Sequence, residues 1–137
     1  MTELEALQAA LAGEHAAMYG VGAAGGKLTG ARFRAATAGY DEHRRNRDRL
    51  SALVVAAGQT PAAAEPAYAL PQAVTNAATA AALVLLIERR IAAVYGDLVE
   101  AAEQPTVRAF AIESLLAAAS AHISWGGAPV AFPGASS

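Results

Sequence analysis

The stretch "GQTPAAAEPAYALPQAV", residues 58–74, decides the fold. It carries three prolines, Pro61, Pro66 and Pro71. Each removes a backbone donor and clashes with the turn before it, so the stretch cannot be regular helix. The chain on either side is rich in helix formers. The pattern predicts helices over about 2–28 and 31–57 upstream, and about 75–102 and 105–124 downstream. Only Thr29-Gly30 separates the first two, and only Glu103-Gln104 the last two, so each pair must form an antiparallel hairpin. A helix of about 27 residues is ~40 Å long. The 58–74 link reaches up to ~50 Å when extended, enough to run the full length of such a helix. The expected architecture is an all-α four-helix bundle in one domain, two antiparallel hairpins joined by a long crossover.

Helix ends and apolar stripes support this division. Thr2 and Glu5 have capping-box spacing, Gly58 suits a C-cap, Thr75 or Asn76 an N-cap, and Pro105 a first helical turn. The first helix carries Leu4, Leu7, Leu11, Met18, Val21 and Leu28 at steps of three and four. The second carries Phe33, Ala36, Tyr40, Leu50 and Val54, and the third Val84, Ile87, Ile91, Val94 and Leu98. In the fourth, Ile112, Leu115, Ala119 and Ile123 are expected to face inward. Residues 125–137 read as a coil pinned by Trp125 and Phe132. "AAMYG" at 16–20 recurs as "AAVYG" at 92–96, at equivalent places in the two hairpins. Hairpins paired by a pseudo-twofold axis and a long crossover are the arrangement of ferritin-like folds.

Composition narrows the chemistry. The 137 residues are 55% hydrophobic and carry a net charge of -2, so a core is affordable and no global field draws the chain to nucleic acid or acidic lipid. The absence of cysteine excludes disulfides, thiolate nucleophiles and zinc–thiolate sites. Acidic residues stand in "MTELEALQAAL" where a secretory signal would be basic, and the apolar stretch 77–87 is about half a membrane span. The expectation is a cytoplasmic protein without a membrane partner. No phosphate loop, nucleophile elbow or serine triad assembles, no catalytic residue is identified, and no small-molecule ligand is identifiable.

The candidate site comes from charge placed on buried stripes. Leu11–Glu14–Met18 puts Glu14 on the seam of the first helix, and Tyr40–His43–Arg47 puts His43 on that of the second. Reflection through the Thr29-Gly30 turn brings the two level at mid-height. Glu88 falls level with about Ser120 in the second hairpin, with His122 half a turn further on. Buried charges need partners or a metal. A single metal ion held by Glu14, His43, Glu88 and His122 is one answer, iron or manganese suiting such an O/N set. The other is a polar network without cofactor: Glu14 with His43 or Arg47, and Glu88 with Arg44, Arg47 or a tyrosine.

"LQAALAGEHAAMYGVG", "HRRNRDRL", "PAYALP", "LIERRIAAVYGDLVEAA" and a terminal "W…FPG" resemble the small actinobacterial ferritin-like proteins of uncharacterised function, the DUF4439 type, over nearly the whole chain. The resemblance implies the ferritin-like fold and no known activity. Ferritin-like di-metal centres use one Glu from each of two helices and Glu-x-x-His from each of the other two. Glu14 and Glu88 match the single glutamates. Tyr40 stands where a glutamate should precede His43, and Leu116 where a histidine should follow Glu113, so both Glu-x-x-His motifs are broken. A degenerate di-iron centre in a structural or interaction module is the first expectation, and a metal-dependent redox or binding protein the alternative.

In "YDEHRRNRDRL", residues 40–50, Arg45 and Arg49 share a solvent face, Asp41 precedes Arg45 by four, and Arg44 and Arg47 lie nearer the seam. Asp41, Glu42 and Asp48 dilute the basic run, which argues against a nucleic-acid surface. Tyr19 and Tyr95 are candidates to hydrogen-bond the central carboxylates. Gly20, Gly22, Gly25 and Gly26 make sense under close helix approach, from this chain or from a homodimer partner. "PAYALP" is expected to lay Tyr68 and Leu70 over the bundle as a strap.

Overall fold

A computed structural model describes residues 1–135. It contains α1 (Glu3–Gly25), α2 (Gly30–Ala56), α3 (Ala77–Ala101) and α4 (Pro105–Ser124), with no strand among the described residues. Residues 136 and 137, the last of the expected coil, lie outside them.

Local chemistry sets the ends. Thr2 accepts from Glu5 N while Glu5 accepts from Thr2 N, a closed capping box that also lowers the Glu5 carboxyl pKa. The sequence pattern carries α1 three residues too far, because Gly25 and Gly26 open into a turn before Leu28. α3 starts two residues later than expected, capped by Asn76, which accepts from Thr79 N. Pro105 occupies the first turn of α4. Gly58 takes φ +81 after α2, letting Gln59 N return to Val54 O; a side chain there would strain this turn.

The two hairpins pack through α1 and α3, which run antiparallel. At one end Glu3 Oε2 accepts from the backbone N–H groups of Glu103 and Gln104, at 2.6 and 2.8 Å, tying the start of α1 to the α3–α4 turn. The crossover begins at this end. Gln8 bonds Thr60 O and Ala62 N, His15 Nε2 reaches Ala62 O at 2.9 Å, and Tyr68 lies against Tyr19 with ring centroids 5.7 Å apart. Leu70 then packs on the core, and α3 begins at the opposite end. The link therefore runs end to end, and α2 and α3 are parallel. Gly20 permits the close α1–α3 approach: a Cβ there would sit 2.6 Å from Ile87 Cδ1. Gly25 has no such neighbour and Gly22 only an ordinary contact with Tyr40, so intrachain helix contact explains one of the four glycines flagged by sequence.

Leu7, Leu11, Leu50, Val54 and Leu98 fill the half of the bundle near the α3–α4 turn, each worth ~1.5–3 kcal/mol of burial. In the other half Leu28, Leu83, Val84, Ile87 and Trp125 are buried, and a cleft opens there between α2 and α4. The expected phase of α4 is wrong. Val107, Ala111, Ser114 and Ala118 face inward, whereas Ile112 and Ile123 are exposed and Leu115 and Ala119 only half-buried. Nearly every face of α4 is apolar, so size misled the assignment; small residues let α4 approach α3 closely. Trp125 is buried, with the Arg32 guanidinium 4.7 Å from its ring centroid, but Phe132 is 80% exposed and pins nothing. The tail is held instead by Gly134, whose backbone lies against Gly96; a Cβ on Gly96 would come 2.7 Å from Gly134 O.

Candidate functional site

Glu14, His43 and Glu88 meet at mid-bundle, each buried and each from a different helix. The His43 ring stands between the two carboxylates. Its Nδ1 donates to Glu14 Oε2 at 2.5 Å and its Nε2 to Glu88 Oε1 at 2.8 Å. Glu14 Oε1 takes two further bonds, from Tyr95 Oη at 2.6 Å and Asn46 Nδ2 at 3.1 Å. Among the described residues no buried side-chain nitrogen or oxygen lacks a partner. Such full satisfaction is the condition under which buried charge is tolerated.

The network sets its own protonation. Burial disfavours an imidazolium at His43, but the hydrogen bonds and negative charges of Glu14 and Glu88 outweigh it and push the pKa up to about 10. Both ring nitrogens therefore carry protons at neutral pH. Burial, and after it the charge of Glu14, raises Tyr95, so its hydroxyl stays a donor. The ring of Tyr95 is held edge-on by Phe110, 5.8 Å away.

His122 does not join this cluster. Its ring packs on Gly127 at the turn after α4, where an added Cβ would lie 2.1–2.6 Å from the imidazole atoms. The register explains the miss: His122 is rotated about 80° around α4 from Ser114, the residue that α4 buries beside the centre. Arg44 and Arg47 do not turn inward either. They pair with Asp41 at 3.4 Å and Asp48 at 2.9 Å, while Glu42 pairs with Arg45 at 3.3 Å. Tyr19 stacks on Tyr68 rather than reaching a carboxylate. Sequence reasoning missed Asn46, although it lies three residues after His43 and so shares its helix face.

The centre is reached from one side. A cleft of about 290 Å³ opens between α2 and α4, with His43, Glu88, Asn46 and Ser114 in its floor and Trp125 in its lining. It exists because α2 presents Ala35, Ala38 and Gly39 there, and α4 presents Ala117 and Ala121. A Cβ built on Gly39 meets nothing within 4 Å.

The donor set does not fit a metal ion as arranged. Both imidazole nitrogens are committed to carboxylates, and Glu14 accepts three hydrogen bonds. Among the described residues no three His, Asp or Glu side chains form a group that could hold one. Nor is any described helix long and apolar enough to cross a membrane.

Comparison with curated proteins returns no match. The chain is similar to the crystal structure of a conserved hypothetical protein, rv2844, from Mycobacterium tuberculosis. The two are 32% identical with a TM-score of 0.88, over 90% of this chain and 93% of that one. A family model described as a domain of unknown function, DUF4439, matches residues 6–137, and the chain belongs to that family.

Proposed function

We propose that this is a ferritin-like bundle whose metal centre has degenerated into a proton-held triad, and that it serves as a structural or interaction module rather than an enzyme. One observation carries this: the His43 imidazolium stands between Glu14 and Glu88 with both nitrogens donating, so a cationic side chain occupies the place between two helices' carboxylates where a metal would sit. The end-to-end crossover and the parallel α2 and α3 support the ferritin-like assignment. Elemental analysis of protein purified without chelator tests it. The expected result is substoichiometric iron and manganese and a melting temperature unmoved by EDTA. Stoichiometric metal that disappears in Glu14→Ala and Glu88→Ala would overturn it.

The second reading is a reduced metal site for iron or manganese. A carboxylate that fixes the Nδ1–H of a histidine is how ligating histidines are oriented, and Glu14 does this to His43 while Glu88 faces Nε2. His122, rotated away, would add nothing to it. The same elemental analysis separates the two.

The interaction role draws support from the outer face of α4. Ile112, Leu116, Ala119 and Ile123 fall within about 60° of one another, and the three large residues are exposed, Leu116 by 58%. Homodimerisation through this stripe is the form we propose. Leu116→Glu, a surface change costing within about 0.5 kcal/mol of fold stability, should convert a sedimenting dimer to monomer. A wild-type chain that sediments as a monomer at high concentration would remove this part.

A further inference from the structure

We propose that the α2–α4 cleft is a binding site for a small primary ammonium ion with a short aliphatic body, its head held by Glu88 Oε2. Glu88 is only 4% exposed, and Oε1 alone is engaged, by His43. Since no fully enclosed side-chain oxygen lacks a partner, the unpaired Oε2 is open to solvent, and the cleft that Glu88 lines is the route to it. The site thus holds a buried carboxylate, with one acceptor free, in the lining of a concave space.

Charge and shape narrow the ligand. No lysine or arginine lines the cleft, its one cation, the His43 imidazolium, already has both N–H groups committed to Glu14 and Glu88, and a further carboxylate, Glu42, stands in the lining, so an anion would meet no unpaired cation. Ser114, buried in the floor, offers a hydroxyl that can accept a second hydrogen bond. An ammonium group has three donors: Oε2, Ser114 Oγ and water can take them. A divalent metal ion is a poorer fit, because calcium and magnesium demand six or more oxygen ligands, and most of the remaining wall is Val84, Ile91, alanine and Trp125. That wall suits methylene groups. The volume of about 290 Å³ lies at the small end for ligand pockets, which limits the body to a few carbons. This goes beyond the module proposed above: a proton-held triad without any ligand would satisfy that proposal.

The experiment is calorimetric titration of the full chain with n-butylammonium chloride in phosphate buffer at neutral pH, with n-butanol and manganese chloride as comparators. Amine buffers are avoided because they would compete. Saturable one-site binding of butylammonium is expected, with none of butanol. Affinity should fall at least about tenfold in Glu88→Gln, as a charge-assisted hydrogen bond is lost. Because Glu88→Gln also weakens a partner of His43, Ala117→Leu supplies the second arm: it fills the cleft, leaves the triad intact and should cause a similar loss. Circular dichroism checks that each variant is folded. Absence of saturable binding, equal binding of butanol, unchanged affinity in Ala117→Leu, or one-for-one displacement by manganese would each overturn the proposal. Metal-free protein that binds no ammonium would sink this site and leave the module standing, whereas stoichiometric metal in the purified chain would sink the module.

Discussion

Replacing His43 by alanine should lower the unfolding free energy by ~3–5 kcal/mol, the cost of breaking a buried ion network by removing one member. The loss has an identifiable source. Glu14 Oε2 and Glu88 Oε1 each lose their donor, and two carboxylates are left facing one another in an apolar interior. Against a total stability of ~5–15 kcal/mol, this brings the chain close to unfolding at ambient temperature. Urea denaturation measures it, and a loss under about 1 kcal/mol would mean that the centre is not a buried ion network. The complementary experiment removes the whole network. With Glu14, His43, Glu88 and Asn46 all changed to leucine and Tyr95 to phenylalanine, no charge and no orphaned hydroxyl or amide remain, and most of the lost stability should return. Buried ion networks commonly break even against apolar replacements of similar volume. Recovery would mean that the triad is retained for something other than stability, and failure to recover that it stabilises the fold outright.

How much of this centre could be read in advance follows from which features repeat along a helix. The crossover was legible because proline has one backbone meaning: Pro61, Pro66 and Pro71 end helix wherever they stand. The meeting of Glu14 with His43 was legible because both interrupt otherwise apolar seams and the hairpin turn fixes their common height. Of the two tyrosines expected to reach the carboxylates, Tyr95 does so and Tyr19 lies on Tyr68 instead. The partners on polar faces were not legible. Arg44 and Arg47 sit beside the seam, but long side chains turn to water when an acidic neighbour one to three residues away serves as well. Choosing between an inward and an outward pair turns on differences of a few tenths of a kcal/mol, below what spacing can resolve. α4 failed for a different reason. The expected stripe of Ile112, Leu115, Ala119 and Ile123 holds three large residues, and these outcompete the true buried set of Val107, Ala111, Ser114 and Ala118 in any size-weighted pattern. The phase error also hid the cleft, because the small residues that create it look like an interchangeable alanine background.

Raising the pH from about 6.5 to about 10 should strip the fold of ~5 kcal/mol, the second large effect, and the direction is fixed by His43. In the unfolded chain its imidazole titrates at the ordinary value of 6.5, while in the folded chain it holds its proton to about 10. Below 6.5 both states bind the proton, and the contribution of the triad is fully present. Between the two values the unfolded chain has lost a proton that the folded chain keeps. Unfolding then releases a proton, so stability declines by up to ~1.4 kcal/mol for each pH unit until the folded value is passed. Above it the imidazole is neutral in both states and the contribution is gone. Tyr95 does not confuse this window. Its hydroxyl is also raised by burial and by Glu14, so its own loss begins only where an unfolded tyrosine ionises, near the ordinary value of 10.0. Urea titrations at stepped pH separate the two: His43→Gln should give a flat profile from neutral pH to about 9, and Tyr95→Phe should keep the slope. A wild-type profile that stays level across that range would mean that His43 is neutral in the fold. It would then have no proton on one nitrogen for one of its two carboxylates, and the Glu14–His43–Glu88 bridge could not exist as built.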